Sequence, residues 1–229
     1  MQHPSSLRLV LSAVALTAFA AAQTPITPGN LIVSRVGDGS VALTGAAAPR
    51  FLDEYTPGGV LVQTIALPTT ASGSNQILTG SGSATSEGFL SQSSDARYLV
   101  AVGYAAAPGT ASVTATLAPA TPRVVARIAL DGTVDTSTAL GDCYSNGNIR
   151  SACTTDGTSI WVAGNASAAN GNGVRFTTFG GTTTTQLSTS PTNIRTIGIF
   201  GDQLYCGTSS NPFQGVSTVG TGLPTTSGQ

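Results

Sequence analysis

The chain has 229 residues, with nine Lys and Arg against ten Asp and Glu, and a formal net charge of −1. Such a composition offers no basic field for phosphates, so we expect no nucleic-acid partner. After residue 22 the chain has no His, Lys or Met, which excludes Ser-His-Asp catalysis, His-ligated metals and Schiff-base chemistry.

Residues 1–22 have the pattern of a secretory signal peptide. Arg8 is followed by an apolar run over 9–20, and Ala20-Ala21-Ala22 provides the small residues that precede a cleavage site. The apolar run of about 12 residues is short for a membrane span, although an uncleaved anchor is the alternative. We therefore expect cleavage before Gln23, no membrane span in the mature chain, and a secreted, periplasmic or cell-surface location.

From residue 31 onward the chain reads as seven β-hairpins. Each has two strand-like runs, rich in Val, Ile, Leu, Thr and aromatic residues, on either side of a turn, usually with Gly or Asp, residues that tolerate positive φ. The paired runs are 31–36 with 40–43, 50–55 with 60–67, 89–93 with 98–103, 123–130 with 133 onward, 149–154 with 160–164, 174–179 with 182–187, and 194–199 with 204–207.

The hairpins alternate in kind, and a short motif repeats within them. Asn148-Ile149-Arg150-Ser151 and Asn193-Ile194-Arg195-Thr196 lie 45 positions apart. Two hairpins per repeat give a four-stranded antiparallel unit of the length of a β-propeller blade. A segment over 104–122, rich in Ala, Pro and Thr, is predicted as a loop or an extra hairpin.

The sequence thus predicts an all-β domain over 23–229, a β-propeller with about three and a half blades. The expected blades are 31–67, 88–140, 148–188 and an incomplete one at 193–229. Because an open propeller exposes strand edges, the chain would be a fragment of a longer propeller or would need a partner to close it. A β-sandwich or a right-handed β-helix is the alternative fold.

Two turns carry a resemblance to a known group of proteins. Asp95-Ala96-Arg97-Tyr98-Leu99-Val100 and the run from Asp156 to Val162 are similar to the hairpins of bacterial exported propellers of the TolB and YVTN type. Ala96 departs from the Gly that is usual there. The resemblance implies a bacterial β-propeller, and it implies nothing about function.

The repeated Asn-Ile-Arg motif supplies the candidate binding residues: Asn148, Arg150, Asn193 and Arg195. At the channel mouth of neighbouring blades, two guanidinium groups could hold a carboxylate or a uronic acid. Alternatively, each Arg bonds carbonyl groups of the adjacent blade and holds the ring together. The aromatic residues Tyr98, Trp161 and Tyr205 are expected to pack between blades rather than to bind sugar.

Acids, amides and thiols give the remaining candidates. Asp53 and Glu54 are neighbours on one strand and should face opposite ways, which leaves Glu87 as the better lone acid. Cofactors are not expected. The weak calcium candidates are Asp142, Asn146 and Asn148 in one loop and Asp131 with Asp135 in another.

Cys143 and Cys153 are the preferred disulfide pair, with three buried thiols as the alternative, and no metal site is expected. We expect a non-enzymatic binding or scaffold module for an extracellular polysaccharide or protein. The alternative is a carboxylate-based or calcium-dependent hydrolase or lyase on the same fold.

Overall fold

The computed structural model of the protein describes residues 24–229, and the predicted signal peptide at 1–22 lies outside them. The described chain is all-β, with two single-turn 3₁₀ helices at Val113–Ala115 and Ala168–Asn170. Neither helix within this range is long and apolar enough to cross a membrane. The strands are β1 Leu31–Val36, β2 Ala47–Tyr55, β3 Leu61–Ala66, β4 Thr79–Ser81, β5 Ser91–Gln92, β6 Tyr98–Tyr104, β7 Arg123–Ala129, β8 Val134–Leu140, β9 Asn148–Thr154, β10 Ser159–Asn165, β11 Val174–Thr178, β12 Thr185–Ser188, β13 Ile194–Phe200, β14 Gln203–Thr208 and β15 Gly215–Thr218.

The strands form three open antiparallel sheets. β9 to β12 make a four-stranded sheet in sequence order, and β13 to β15 make a three-stranded one. β1 to β8 make an eight-stranded sheet, in which β4 pairs with both β2 and β6. We call β1–β3 layer 1, β5–β8 layer 2, β9–β12 layer 3 and β13–β15 layer 4.

Layer 3 shows why these residues form strands. Along β10, Ile160 and Val162 point to one face while Trp161 and Ala163 point to the other, and all four are buried. Side chains alternate between the two faces of a strand, so a continuous apolar run predicts a sheet that is covered on both sides. Layer 3 is covered in this way, by layer 2 on one face and layer 4 on the other.

Three apolar clusters hold the layers together face to face. The cluster between layers 1 and 2 contains Leu52, Ile65, Ala101, Val124, Ala126 and Ile128. The cluster between layers 2 and 3 contains Val100, Val102, Val125, Ile149, Ile160 and Val162. The cluster between layers 3 and 4 contains Trp161, Ala163, Val174, Ile194, Ile197 and Leu204. The layers are therefore stacked in the order 1-2-3-4.

The all-β antiparallel prediction is confirmed, and six of the seven predicted hairpins appear, as β2–β3, β5–β6, β7–β8, β9–β10, β11–β12 and β13–β14. The first hairpin is wrong: residues 40–43 form no strand, and β1 pairs instead with β2. The reason is that Val41 and Leu43 lie in an exposed loop rather than against layer 2. The segment 104–122 is a loop containing the first 3₁₀ helix, not an extra hairpin.

Arg123 at the start of β7 is completely buried and joins three segments. Its guanidinium donates to the carbonyl oxygens of Thr116, Thr121, Tyr144 and Gly147 and to the Thr116 hydroxyl, at 2.7–3.1 Å. Burial lowers the pKa of this guanidinium. Because these carbonyls belong to the long loop of layer 2 and to the loop that enters layer 3, Arg123 fixes the two layers to each other.

Replacing Arg123 by Met tests this role. The variant leaves buried carbonyl groups without donors, so the free energy of unfolding should fall by about 3 kcal/mol or more. Urea denaturation of the mature chain measures the change. Arg97→Met is the matched control, because the Arg97 side chain is 68% exposed and its substitution should change stability by less than about 0.5 kcal/mol. A similar loss of stability in both variants would contradict the role of Arg123.

Candidate functional site

The structure brings the starts of β9 and β13 together, and with them the four predicted binding residues. Asn193 lies just before β13 and bridges Asn165 at the end of β10. Nη1 of Arg150 donates to the side-chain oxygen of Asn193 and to the carbonyl oxygen of Ile194, the latter at 3.2 Å. Arg150 is 6% exposed. Its contacts therefore join layer 3 to layer 4.

Arg195 differs from Arg150 although both occur in the same sequence motif. Within residues 24–229 its guanidinium makes no hydrogen bond and no ion pair. Its Nε is buried without a partner, which is also true of Nε in Arg50 and in Arg150. Burial lowers the pKa of Arg150, and the positive charge of nearby Arg195 lowers it further. Two guanidinium groups thus lie near each other, and the second one has unused donors.

Asn148 and Glu87 form a neighbouring network between layers 2 and 3. Glu87 accepts hydrogen bonds from the Ser81 backbone at 2.6 Å, the Tyr104 hydroxyl at 2.8 Å and the Asn148 amide at 3.0 Å. Burial and the adjacent Glu87 carboxylate raise the pKa of the Tyr104 hydroxyl. Among the described residues, no hydrogen-bond partner of Glu87 is a carboxyl group, and Asn148 is bound to Glu87 rather than to Arg150.

Asn193 is held on both sides. Its amide nitrogen donates to the Ser210 hydroxyl at 2.7 Å, while its side-chain oxygen accepts from Arg150. A small cavity of about 240 Å³ lies beside it, lined by residues 190–193 and 210–213. We call Arg150, Arg195, Asn148 and Asn193 the arginine site; chemically, it can bind an anion through the free donors of Arg195.

Asp53 and Glu54 face opposite sides of β2, as expected. Asp53 accepts from Arg35 Nε at 2.6 Å and from the Thr64 hydroxyl at 2.7 Å, whereas Glu54 accepts from Asn30 and Gln63, each at 2.6 Å. Both carboxylates thus bind structural partners on opposite sides of the strand. The hydrogen bond from Arg35 is the main reason that the pKa of Asp53 lies below 3.8.

The calcium candidates have protein partners. The Asp142 carboxylate accepts from the Thr184 backbone at 2.8 Å, and Asp131 and Asp135 accept from backbone groups two residues further on. Within the described range no three His, Cys, Asp or Glu residues come together in a possible metal site. Calcium binding by the Asp142 loop stays an expectation from the sequence.

The predicted disulfide is not formed in the structure, where Cys143, Cys153 and Cys206 are free and buried. Cys143 lies in the cluster between layers 2 and 3, while Cys153 lies in the cluster between layers 3 and 4. The two sulfur atoms therefore face opposite sides of layer 3. Burial raises the pKa values of the Cys143 and Cys153 thiols.

Two of the three predicted aromatic residues pack between layers. Trp161 is 2% exposed, contacts Phe176, and donates through Nε1 to the Pro224 carbonyl at 2.7 Å. Tyr98 packs on Arg127 and on the β9–β10 turn at Gly157. Tyr205 instead contacts Phe200 within its own layer, on the side away from layer 3.

Sequence reasoning missed Arg50, which is 2% exposed on β2. It donates to the Val102 carbonyl at 2.6 Å, the Gly88 carbonyl at 2.9 Å and the Ser34 hydroxyl at 2.6 Å, and so joins layer 1 to layer 2. A signal was present: Arg50, Arg123, Arg150 and Arg175 all lie near the start of a strand in a chain with few charges.

No model of a known protein family and no sequence of a curated protein matches this chain.

Counting the thiols tests the cysteine arrangement. A thiol reagent such as Ellman's should react slowly with the native mature chain, because all three sulfur atoms are buried. After unfolding in guanidinium without reductant, it should titrate three thiols per chain. A count of one would show that a disulfide forms, as the sequence first suggested for Cys143 and Cys153.

The Asp53–Arg35 pair predicts a pH dependence of stability. A carboxylate with a lowered folded pKa stabilises the protein above its ordinary pKa, and this contribution is lost as the pH falls below 3.8. Since Arg35 is 39% exposed, the effect should be on the order of 1 kcal/mol or less. Urea denaturation should show that the free energy of unfolding falls less between pH 7 and pH 2 in Asp53→Asn and in Arg35→Met than in wild type. If this decrease in the free energy of unfolding is the same in both variants as in wild type, the result is inconsistent with the Asp53–Arg35 pairing.

Proposed function

We propose that the four layers are consecutive blades of a β-propeller and that the exported chain is a non-enzymatic binding module. Layers 2 and 3 support the architecture, because each is a four-stranded antiparallel meander. The first strands of successive layers also lie side by side. The Phe89 amide, just before β5, donates to the Arg150 carbonyl on β9, and Ser151 on β9 bonds Ile197 on β13. In propellers the first strands line a central channel in this manner.

The positions of the acids support a binding role rather than hydrolysis. Two-carboxylate catalysis needs a pair of carboxyl groups that converge on one bond. Asp53, Glu54 and Glu87 instead each accept two or more hydrogen bonds from neighbouring protein groups. The described contacts thus use these acids to hold strands together.

The free guanidinium of Arg195 is the observation that carries the ligand proposal. A partly buried donor without an acceptor is costly, and a carboxylate satisfies a guanidinium with two parallel hydrogen bonds. Arg150 beside it adds positive potential, although its own Nη1 is occupied by Asn193 and Ile194. For an exported protein, the carboxylate source that we propose is an acidic polysaccharide containing uronic acids.

Binding of polygalacturonate to the mature chain tests this proposal. Loss of one bidentate, charge-assisted contact in Arg195→Ala should weaken binding about tenfold to a hundredfold. Isothermal titration calorimetry at low salt measures the affinity, and affinity should fall as salt is added. Arg195→Lys should recover only part of it, because an ammonium group cannot form the planar double contact.

Arg97→Ala is the matched control, since it removes the same charge from an exposed turn. It should bind polygalacturonate as wild type does, and a neutral polysaccharide should not bind at the same site. Equal affinities of wild type and Arg195→Ala would overturn the ligand proposal. Arg150→Ala is less informative because it also breaks the contact between layers 3 and 4.

A further inference from the structure

Exposed apolar side chains concentrate at the two ends of the stack. None of the exposed large hydrophobic residues in the described range lies in a strand of layer 2 or layer 3. Those in strands belong to layers 1 and 4 and are Leu31, Val33, Leu61, Val62, Phe200 and Val216. Sheet faces that carry contiguous apolar groups at the surface of a protein usually mark an interaction site.

Layer 1 presents one of these surfaces, which we call face A. Ile32, Leu52 and Ile65 point toward layer 2, so their neighbours along the strands point outward. Face A consists of Leu31, Val33, Arg35, Phe51, Asp53, Val62 and Thr64. Its two charges neutralise each other through hydrogen bonds of 2.6 and 3.1 Å between Arg35 and Asp53, so a partner need not be charged.

Layer 4 presents the other surface, which we call face B. Two rows of paired residues cross the three strands on this side. One row is Gly198, Tyr205 and Thr218, and the other is Thr196, Gly207 and Val216. These residues carry no charge. All of them except Thr218 line, with Phe200, a groove of about 430 Å³ that also extends to β5 of layer 2 and to Cys153 and Thr154 of layer 3. The Phe200 ring lies against Gly198 and the Thr196 methyl group lies against Gly207, so the exposed apolar groups of face B are Phe200 and Val216.

The contact between layers 3 and 4 indicates which kind of surface would pack on face B. On β10, the second strand of layer 3, Trp161 and Ala163 face the aliphatic residues Ile197 and Leu204 of layer 4. On β14, the second strand of layer 4, the half-buried Tyr205 and the buried Gly207 stand in the equivalent places, on the side away from layer 3. Face B is thus the side of layer 4 that corresponds to the side of layer 3 in contact with layer 4. Face A, with its aliphatic β1 residues, corresponds to the opposite side of a layer, the one that receives such a contact.

We propose that two copies of this chain associate, with face A of each copy on face B of the other. Because the two faces are of opposite kind and lie at opposite ends of one stack, two copies related by a two-fold axis satisfy all four faces. If the layers are propeller blades, as proposed above, the product is a closed ring of eight, within the size range of propellers. Closure also covers the outer faces of both end layers.

Native mass spectrometry and light scattering of the mature chain test the association. Wild type should have twice the mass of one chain, while Val33→Asp on face A and Val216→Asp on face B should each be monomeric with unchanged circular dichroism. Leu117→Asp is the matched control, because Leu117 is 60% exposed in the loop between β6 and β7 of layer 2 and belongs to neither face. It should stay at twice the single-chain mass.

Mixing the two monomeric variants tests how the faces pair. Val33→Asp keeps an intact face B and Val216→Asp keeps an intact face A, so the mixture should form a species of one chain of each. A monomeric wild type, or variants that keep the wild-type mass, would overturn the proposal. So would a mixture that stays monomeric, or a wild type that forms larger species without limit.

The Arg195→Ala variant separates this proposal from the ligand proposal. If both hold, it loses polygalacturonate binding and keeps twice the single-chain mass. If it becomes monomeric instead, Arg195 finds its acceptor on the second copy, which supports the association and overturns the polysaccharide proposal. If it keeps both the mass and the binding, only the ligand proposal fails.

Discussion

A sheet that is apolar on both faces must be covered on both, and layer 3 imposes this requirement on the rest of the molecule. Ile160 and Val162 on one side of β10, and Trp161 and Ala163 on the other, exclude water only if layers 2 and 4 lie against them. Burial of apolar surface stabilises a fold by roughly 25 cal/mol per Å², so these contacts stabilise the stack. Layers 1 and 4 each have a neighbouring layer on one side only, so one face of each of these end layers is not covered by another layer.

Buried arginine side chains donate hydrogen bonds to the backbone carbonyl groups that lie inside the stack. The loops between layers bring backbone carbonyl groups into the interior, where each needs a donor. With no Lys or His after residue 22, the chain uses Arg for this purpose. Arg50 and Arg123 together donate to six carbonyl groups, at Gly88, Val102, Thr116, Thr121, Tyr144 and Gly147. A guanidinium suits this role because it stays charged when buried and its planar group of five donors reaches several acceptors at once.

Local signals in the sequence were sufficient where strands pair with their neighbours in the chain. The predicted hairpins at Asp131-Gly132 and Gly201-Asp202 are confirmed, since hairpin pairing depends on the turn residues and on the alternation of side chains nearby. The predicted hairpin at Gly37-Asp38-Gly39 is wrong. These turn residues favour a hairpin, but β1 pairs with β2, which follows the exposed loop. The three-residue strand β4 is too short to show a period. Arg50 and Arg123 could be recognised as unusual, but their acceptors come from distant loops, which no local pattern specifies.

Arg150 and Arg195 show that the place of a motif in the stack, rather than the motif itself, decides its role. Both follow Asn-Ile at the start of the first strand of a layer. Arg150 reaches forward to Asn193 and Ile194 because layer 4 follows layer 3. Arg50 likewise reaches forward to Gly88 and Val102 of the next layer. Arg195 lies in layer 4, and no group of the described chain accepts a hydrogen bond from it. Phe200 and Val216 are exposed on the same layer, so the unpaired guanidinium and the exposed apolar face both occur on layer 4.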